Sequence, residues 1–559
     1  MRRPDGAQGI ANAALLFGVS AVVFSFYFSV LYLYRNLTLD DAYIAYRYAL
    51  NLAEGFGITW NRLAPPTEGY TSFLHVVLLA PFLRAGFDPL LTTRGVSLLC
   101  TVGIATLVGL MSRRTFDATR ETALLVAVLY VSVSNHGYLT AVGLETLLFT
   151  FLTFLAFTLH IRFLEGESLR FLALECIVLL LAFLARPEGA LLAAILLTLL
   201  LVERLRTRAE VRPAIGVAFA LLLLPAAAYL VWKKEHFGSF LANPFYLKVG
   251  TQGLLSDRGL DSIKGYLGQE IKLALLAVSS LAIFRRGGFK PGHLNPCLLF
   301  VGTYTAFYAH VNTLMDVGFR FMHPVTPFLY FLSLPLTVRL LRGLLGSFGP
   351  AWIRLPVAFG ILLGVFSYSS PLEVYRSLNE AVRGADLIPS DSLMAKRYAV
   401  ARQLAGYPGI ADVSIAYGDS GVIPYFTRSD FLDLGGLNDP VIARERDLRK
   451  LVDHVFSRQL TLVILPSEIL AHAGGKRRWL VRGHGPLGNY NRWANDRRWN
   501  RYAYAGTLTA PLYELNFLVR RRHPRFQEFR KYIRDHVADV VYDRLEIPLG
   551  TRNFLVGNE

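Results

Sequence analysis

Two adjacent carboxylates, Asp40 and Asp41, follow directly on a stretch apolar enough to cross a bilayer. Further polar motifs sit at the ends of other apolar runs: Glu68-Gly69-Tyr70, Gly143-Leu144-Glu145-Thr146, Arg186-Pro187-Glu188-Gly189, Asn243-Pro244-Phe245-Tyr246-Leu247-Lys248 and Arg320-Phe321-Met322-His323-Pro324. Each has a plain role open to it. Asp40 suits the N-cap of a helix beginning near Asp41. Glu145 and Glu188 suit solvated span ends or partners of Arg186, Lys248 a snorkelling lysine, and His323 a turn residue. Together they gather acids, bases and cations around one membrane-edge cavity, where ionisable groups are expected to serve function.

The elements that must position these residues are spans. The 559 residues are 53% hydrophobic and only 18% charged, with mean hydropathy +0.38. The apolar residues lie in long blocks such as Leu191–Val202 and Ala218–Val231. This predicts an α-helical polytopic membrane protein of about eleven transmembrane helices. Ile10–Tyr34 reads as an uncleaved first span, and Phe73–Leu83 as an interfacial helix too short to cross. The net charge of +17 is expected to set orientation and not to bind nucleic acid. Arginine clusters at 113–114, 162–170, 204–212, 285–286 and 339–342 separate apolar blocks, which puts them in the cytoplasm. Asp40, Asp41 and the other motifs then face outward.

After about Tyr368 the pattern changes. Val413–Tyr417, Phe431–Leu434 and Leu460–Leu465 read as short strands, with a helix over Val441–Phe456. The expected division is a membrane domain over 1–369 and a soluble α/β domain over 370–559, on the extracytoplasmic side. Gly483–Gly506 mixes Trp, Tyr, Arg and Asn, which suits either a glycan surface or a loop anchored by its aromatics. Nucleotide-binding P-loop, zinc-protease, C-x-x-C and G-x-S-x-G signatures are absent. The three cysteines all fall in or beside apolar segments, so no disulfide framework is expected in the C-terminal region.

The succession DDAYIAYRYALNLAEGFG, EGYTSFL, GLET, RPEG, NPFYLK and FRFMHPV resembles the GT-C superfamily of membrane glycosyltransferases. Within it the chain is most similar to the bacterial branch containing the mycobacterial terminal arabinofuranosyltransferases. GDSGVIPY at 418–425 and DLGGLND at 433–439 are similar to that branch too. At Arg320 the chain departs from it, since the branch carries an acid there, and this leaves the donor sugar open.

The resemblance implies transfer of a sugar, with arabinofuranose among the candidates, from a polyprenyl-phosphate-linked donor. The acceptor would be a cell-envelope glycan, lipid or protein on the extracytoplasmic face of the cell (inner) membrane. The residues suit that chemistry. Carboxylates stabilise an oxocarbenium-like centre or take the hydroxyl proton, and cations stabilise a departing phosphate. Asp41 is favoured as base, with Asp40 positioning the helix or the sugar. Lys248, Arg320 and His323 are candidates for the donor phosphate. Glu68, Tyr70, Glu145, Arg186, Glu188 and Tyr246 are candidates for the remaining substrate contacts. Membrane lipids are expected partners. No cofactor and no resident metal are expected, though a divalent metal stays open. The competing reading is a transporter or flippase of a lipid-linked sugar, against which the absence of visible inverted repeats speaks.

Overall fold

The computed structural model describes residues 39–131, 134–166, 168–208, 210–248, 255–284, 291–313, 316–347, 393–472, 475–480, 487, 492–493, 496–510, 514–541, 546–549 and 552–555, with scattered positions between 21 and 32. The expected first span and the expected boundary at 369/370 lie largely or wholly outside these residues.

Among the described residues, four helices are long and apolar enough to cross a membrane: Pro89–Phe116, Thr146–Gly166, Arg212–Phe237 and Val317–Gly343. The apolar helices Leu169–Ala185, Gly189–Thr207 and Pro291–His310 pack among them. The third of the four contains a single wide turn at Phe219–Leu223, just before Pro225. Such a turn relieves the backbone bond that proline cannot make. Phe73–Arg84 is a helix of 12 residues, about 18 Å long, well short of a bilayer core. The segment around His136 is helical over Ser134–Ala141.

The long helices share a polarity. Thr146–Gly166 begins beside Glu145 and ends with Arg162 and Glu165; Pro89–Phe116 ends with Arg113 and Arg114; the last begins near Arg320 and reaches Arg339. From Thr326, just after the turn that carries Arg320, to Arg339 the helix rises about 20 Å. Among the described residues, Glu145 and the Arg320 motif therefore lie at one end of the bundle and the arginines at 113–114, 162, 204–206 and 342 at the other.

The C-terminal domain is built on a mixed sheet in the order β2-β1-β3-β6-β5, with β4 paired to β3. Its strands are β1 (Ser414–Tyr417), β2 (Asp430–Asp433), β3 (Leu462–His472), β4 (Gly475–Leu480), β5 (Tyr502–Thr509) and β6 (Glu514–Arg520). β1 runs parallel to β2 and β3; β6 runs antiparallel to β3 and β5. Side chains alternate between the two faces, as the pleat requires. Ile415, Phe431, Ile464 and Phe517 enter one core, while Ala416, Leu432, Leu465 and Leu518 enter another. The expected helix over Val441–Phe456 is two helices, Pro440–Arg444 and Leu448–Ser457, because the Asp447 carboxylate caps a fresh start through the Arg449 amide at 2.8 Å.

The first of these cores does not stop at the domain. It also contains Ala42, Tyr43, Tyr46, Ala49 and Trp60 from the segment after Asp40. Helix Asp40–Ala53 is thus shared between the membrane part and the sheet domain.

Candidate functional site

Helix Asp40–Ala53 starts at Asp40 itself, with Leu39 in the cap position and no side-chain cap bond. The capping role expected of Asp40 is therefore not what the structure shows. The carboxylate instead reaches across to the sheet domain, where its two oxygens accept from the amides of Gly421 at 2.7 Å and Val422 at 2.9 Å. These amides open the short helix Val422–Thr427, whose N-terminal end favours a negative charge. Two turns further along, Arg47 binds the other end of that element, donating to the carbonyls of Pro424 at 2.6 Å and Ser429 at 2.8 Å. Arg47 also holds Trp60 O at 2.8 Å and Asn61 Oδ1 at 2.9 Å. The seven-residue spacing puts Asp40 and Arg47 on one face, about 10 Å apart, matching the span of the helix they hold.

Gly421 is required by this contact. A Cβ there would lie 1.7 Å from the Asp40 carbonyl oxygen. Asp40 is buried, and burial pushes its carboxyl up to about 6 against the pull of Arg397 and the amide bonds. Arg397 is itself ion-paired to Asp419 at 2.5 Å.

Asp41, one residue on, turns to a different partner, since neighbouring helical positions are about 100° apart. Its side chain keeps 25% of its exposure and faces Arg320, whose Nη2 lies 3.4 Å from Oδ2. Arg320 is buried, and its Nε has no partner among the described residues. The guanidinium also lies 4.9 Å from the Phe321 ring. Arg186 approaches that same ring at 5.1 Å. Arg186 donates to Glu188 Oε1 and to Tyr308 at 3.0 Å each, and its Nη1 is 3.9 Å from Glu145. Tyr308 in turn donates to Glu188. The structure thus joins Asp41, Arg320, Arg186, Glu188 and Glu145 into one charged cluster. Of its carboxylates Asp41 is the most exposed, at 25% against 12% for Glu145 and 13% for Glu188, and so the one most open to a substrate.

A second group forms beside it. Glu68 is buried against Lys233 at 2.9 Å. Burial raises its carboxyl to about 7 despite that lysine. Asn243 Nδ2 donates to Thr67 Oγ1 at 3.0 Å and to Leu437 O at 3.2 Å, stitching NPFYLK to the sheet domain. Tyr246 continues this contact, with Arg444 stacked 4.8 Å from its ring. Tyr70 is buried edge-on to Tyr48 at 4.7 Å, and its hydroxyl has no partner among the described residues. Tyr48 binds Thr67 O at 2.8 Å and Asn438 Oδ1 at 3.1 Å. Asn438 is fixed by Asp433, which accepts from the Gly435 and Asn438 amides. Burial raises Asp433 to about 6, although Asn438, Ser420 and Gly435 all donate to it. Asn243, Tyr48 and Tyr246 thus hold the two parts together, while Glu68 and Tyr70 pack beside them on Lys233 and Tyr48.

Of the other two phosphate candidates, His323 does not join Arg320. His323 is buried with its ring edge-on to His136, centroids 5.0 Å apart, and its nearest polar contact is Thr326 Oγ1 at 3.5 Å. Lys248 ends helix Asn243–Lys248, but its side chain lies outside the described residues. The aromatic stretch at 483–506 is no exposed platform at its described positions: Trp493, Trp499, Tyr502 and Tyr504 are buried against Phe456 and the sheet. Sequence reasoning passed over Arg47, Lys233, Tyr308, Arg397 and Asn438. The YRYA run after the two acids was the one visible signal, since an arginine in a buried tyrosine-rich face needs several acceptors. Among the described residues no group of three or more His, Cys, Asp or Glu side chains is placed to hold a metal ion.

A domain of unknown function, DUF8728, matches residues 392–524, the sheet domain. No curated protein matches the chain in sequence. Among solved structures, ArnT from Cupriavidus metallidurans bound to undecaprenyl phosphate is similar, with TM-score 0.55 and 12% identity, covering 83% of this chain and 97% of that one. ArnT from the same organism in the apo state gives TM-score 0.53 and 13% identity over 85% and 98%. The archaeal oligosaccharyltransferase AglB from Archaeoglobus fulgidus, in complex with an inhibitory peptide and a dolichol-phosphate, gives 0.48 and 11% over 82% and 70%. At such identities the likeness to ArnT is one of fold: in this chain, a bundle with several apolar helices followed by a C-terminal sheet domain.

Proposed function

We propose that the protein is an integral-membrane glycosyltransferase that moves a sugar from a polyprenyl-phosphate carrier to an acceptor hydroxyl on the extracytoplasmic side. The observation that carries this reading is the Asp41–Arg320 pair, a partly exposed carboxylate beside a buried guanidinium at one end of the bundle. In this mechanism Asp41 accepts the proton of the attacking hydroxyl. Arg320 receives the charge that develops on the phosphate as the glycosidic bond breaks. The phosphate is already a stable anion, so no protonated acid is needed at the leaving group. Lys248 is a second proposed phosphate ligand. His323 is assigned a lesser part, because it faces His136 and not Arg320. Asp40 positions the helix, its oxygens being committed to Gly421 and Val422.

The likeness in fold to an ArnT bound to undecaprenyl phosphate supports a carrier of this kind. The placing of the arginine clusters at the far end supports an extracytoplasmic site. We take residues 1–369 as the catalytic membrane domain and 370–559 as the domain that completes the site. Arabinofuranose is the first donor sugar to assay, on the strength of the sequence motifs. The test is transfer by the purified protein in lipid, supplied with polyprenyl-phosphate-linked sugars and envelope glycans. Release of free polyprenyl phosphate coupled to glycan growth is expected. Movement of the intact lipid across the bilayer without cleavage would favour a flippase and refute the reading.

A further inference from the structure

At the other end of the bundle, remote from Asp41, the helix ends enclose a crevice of about 490 Å³. We propose that it binds the phosphate of an anionic lipid headgroup. Arg113, Arg114 and Arg162 line it, with Asp117 the one acid in its wall. Arg162 is half-buried, and its Nε has no partner among the described residues; its guanidinium carbon lies 4.8 Å from the centre of the Phe171 ring, which Arg170 approaches at 5.0 Å. That contact holds one face of the arginine and leaves a fixed donor edge, the geometry that suits phosphate oxygens. Arg114 is steadied by Glu165, while Arg113 is exposed.

The end of helix Pro89–Phe116 would ordinarily repel an anion through its free carbonyls. Here Arg342 donates to the carbonyls of Phe116, at 3.0 Å, and Asp117. The local negative end is therefore covered by a fourth arginine. One wall is apolar and continues outward: Met111 is buried, but Leu110 is 52% exposed on the flank of a helix long enough to span. A site with a cationic floor and an apolar outer lip fits a phosphate attached to acyl chains better than a free anion. None of these residues belongs to the Asp41 cluster, so the inference stands apart from the proposed transfer reaction.

The test uses the full-length protein in nanodiscs of phosphatidylglycerol or phosphatidylcholine, read by thermal unfolding and by native mass spectrometry of retained lipid. Wild type is expected to retain phosphatidylglycerol preferentially and to melt higher in it. The R113Q/R162Q variant should weaken that retention at least about tenfold. R113K/R162K, which keeps both charges but not the planar donor edge, should retain phosphatidylglycerol at a level between the two. The proposal is overturned by equal retention of the two lipids by wild type, by an R113Q/R162Q variant that retains phosphatidylglycerol like wild type, or by an R113K/R162K variant that retains it no better than R113Q/R162Q. Displacement of the lipid by millimolar inorganic phosphate would equally overturn it, by showing a site for a free anion.

Discussion

Replacing Gly421 by alanine attacks the junction at its tightest point. The new Cβ would lie 1.7 Å from the Asp40 carbonyl oxygen and 2.7 Å from its Cγ. Non-bonded carbon and oxygen do not approach below about 3 Å, so the two backbones must separate by more than about 1 Å. The amides of Gly421 and Val422, at 2.7 and 2.9 Å from the Asp40 carboxylate, then move out of bonding range. Each bond to a charged group contributes about 1.5–3 kcal/mol. Losing both costs roughly 3–6 kcal/mol, or a factor of about 10²–10⁴ in the equilibrium that holds the sheet domain on helix Asp40–Ala53. Hydrogen exchange of the 421–427 amides should accelerate by a comparable factor, while exchange within helix Thr146–Gly166 stays unchanged. Wild-type protection at 421–427 in the variant would refute the clasp between Asp40 and Gly421.

Arg47→Met removes four donated bonds, to the carbonyls of Trp60, Pro424 and Ser429 and to Asn61 Oδ1. A loss of at least about 3 kcal/mol in stability is expected, with Arg47→Lys intermediate; a melting temperature unchanged in Arg47→Met would contradict the assignment. The pH dependence of docking follows from Asp40, which burial raises from 3.8 to about 6 when docked. The docked state then holds the proton more tightly, so docking is strongest below about 3.8, weakens as pH rises to about 6 and is flat above. Exchange at 421–427, corrected for its intrinsic rate, should rise over that window and lose most of the slope in Asp40→Asn; protection that increases with pH would show the sign to be wrong. Arg320→Ala should lower kcat at saturating acceptor more than it raises the acceptor KM, with Arg320→Lys recovering only part of the loss; a pure KM effect would remove Arg320 from the leaving-group role.

The sequence carried the bundle, because apolar blocks of span length admit few other structures in water or lipid. It also carried the charged cluster in part: of the two roles open to Glu145 and Glu188, solvated span ends or partners of Arg186, the structure has the second. Phe73–Arg84 is short for the reason its length implied. What could not be read was the partner of each charge. Asp40 and Gly421 are 381 residues apart, and nothing local marks a carboxylate as a ligand for distant amides. The short strands of the sheet domain were legible where β-branched and aromatic residues run together. The tryptophans after Gly483 were not, since aromatic and polar residues in alternation suit a sugar surface and a buried anchor equally. Trp493 and Trp499 resolved as anchors because helix Leu448–Ser457 supplies the apolar face that covers them. His323 looked like a phosphate ligand by type, yet its place after the turn at Arg320 directs it into the bundle beside His136.

The central claim is that Asp41, and not its neighbour, takes the acceptor proton. Single-turnover transfer from a polyprenyl-phosphate-linked sugar, measured for wild type, Asp41→Asn and Asp40→Asn at saturating donor, tests it most directly. Asp41→Asn removes the base while keeping size, so transfer should fall by at least about 10²-fold with donor affinity little changed. Asp40→Asn should retain measurable transfer, with its loss traceable to weaker docking at 421–427. Near-normal transfer by Asp41→Asn beside an inactive Asp40→Asn would contradict the account.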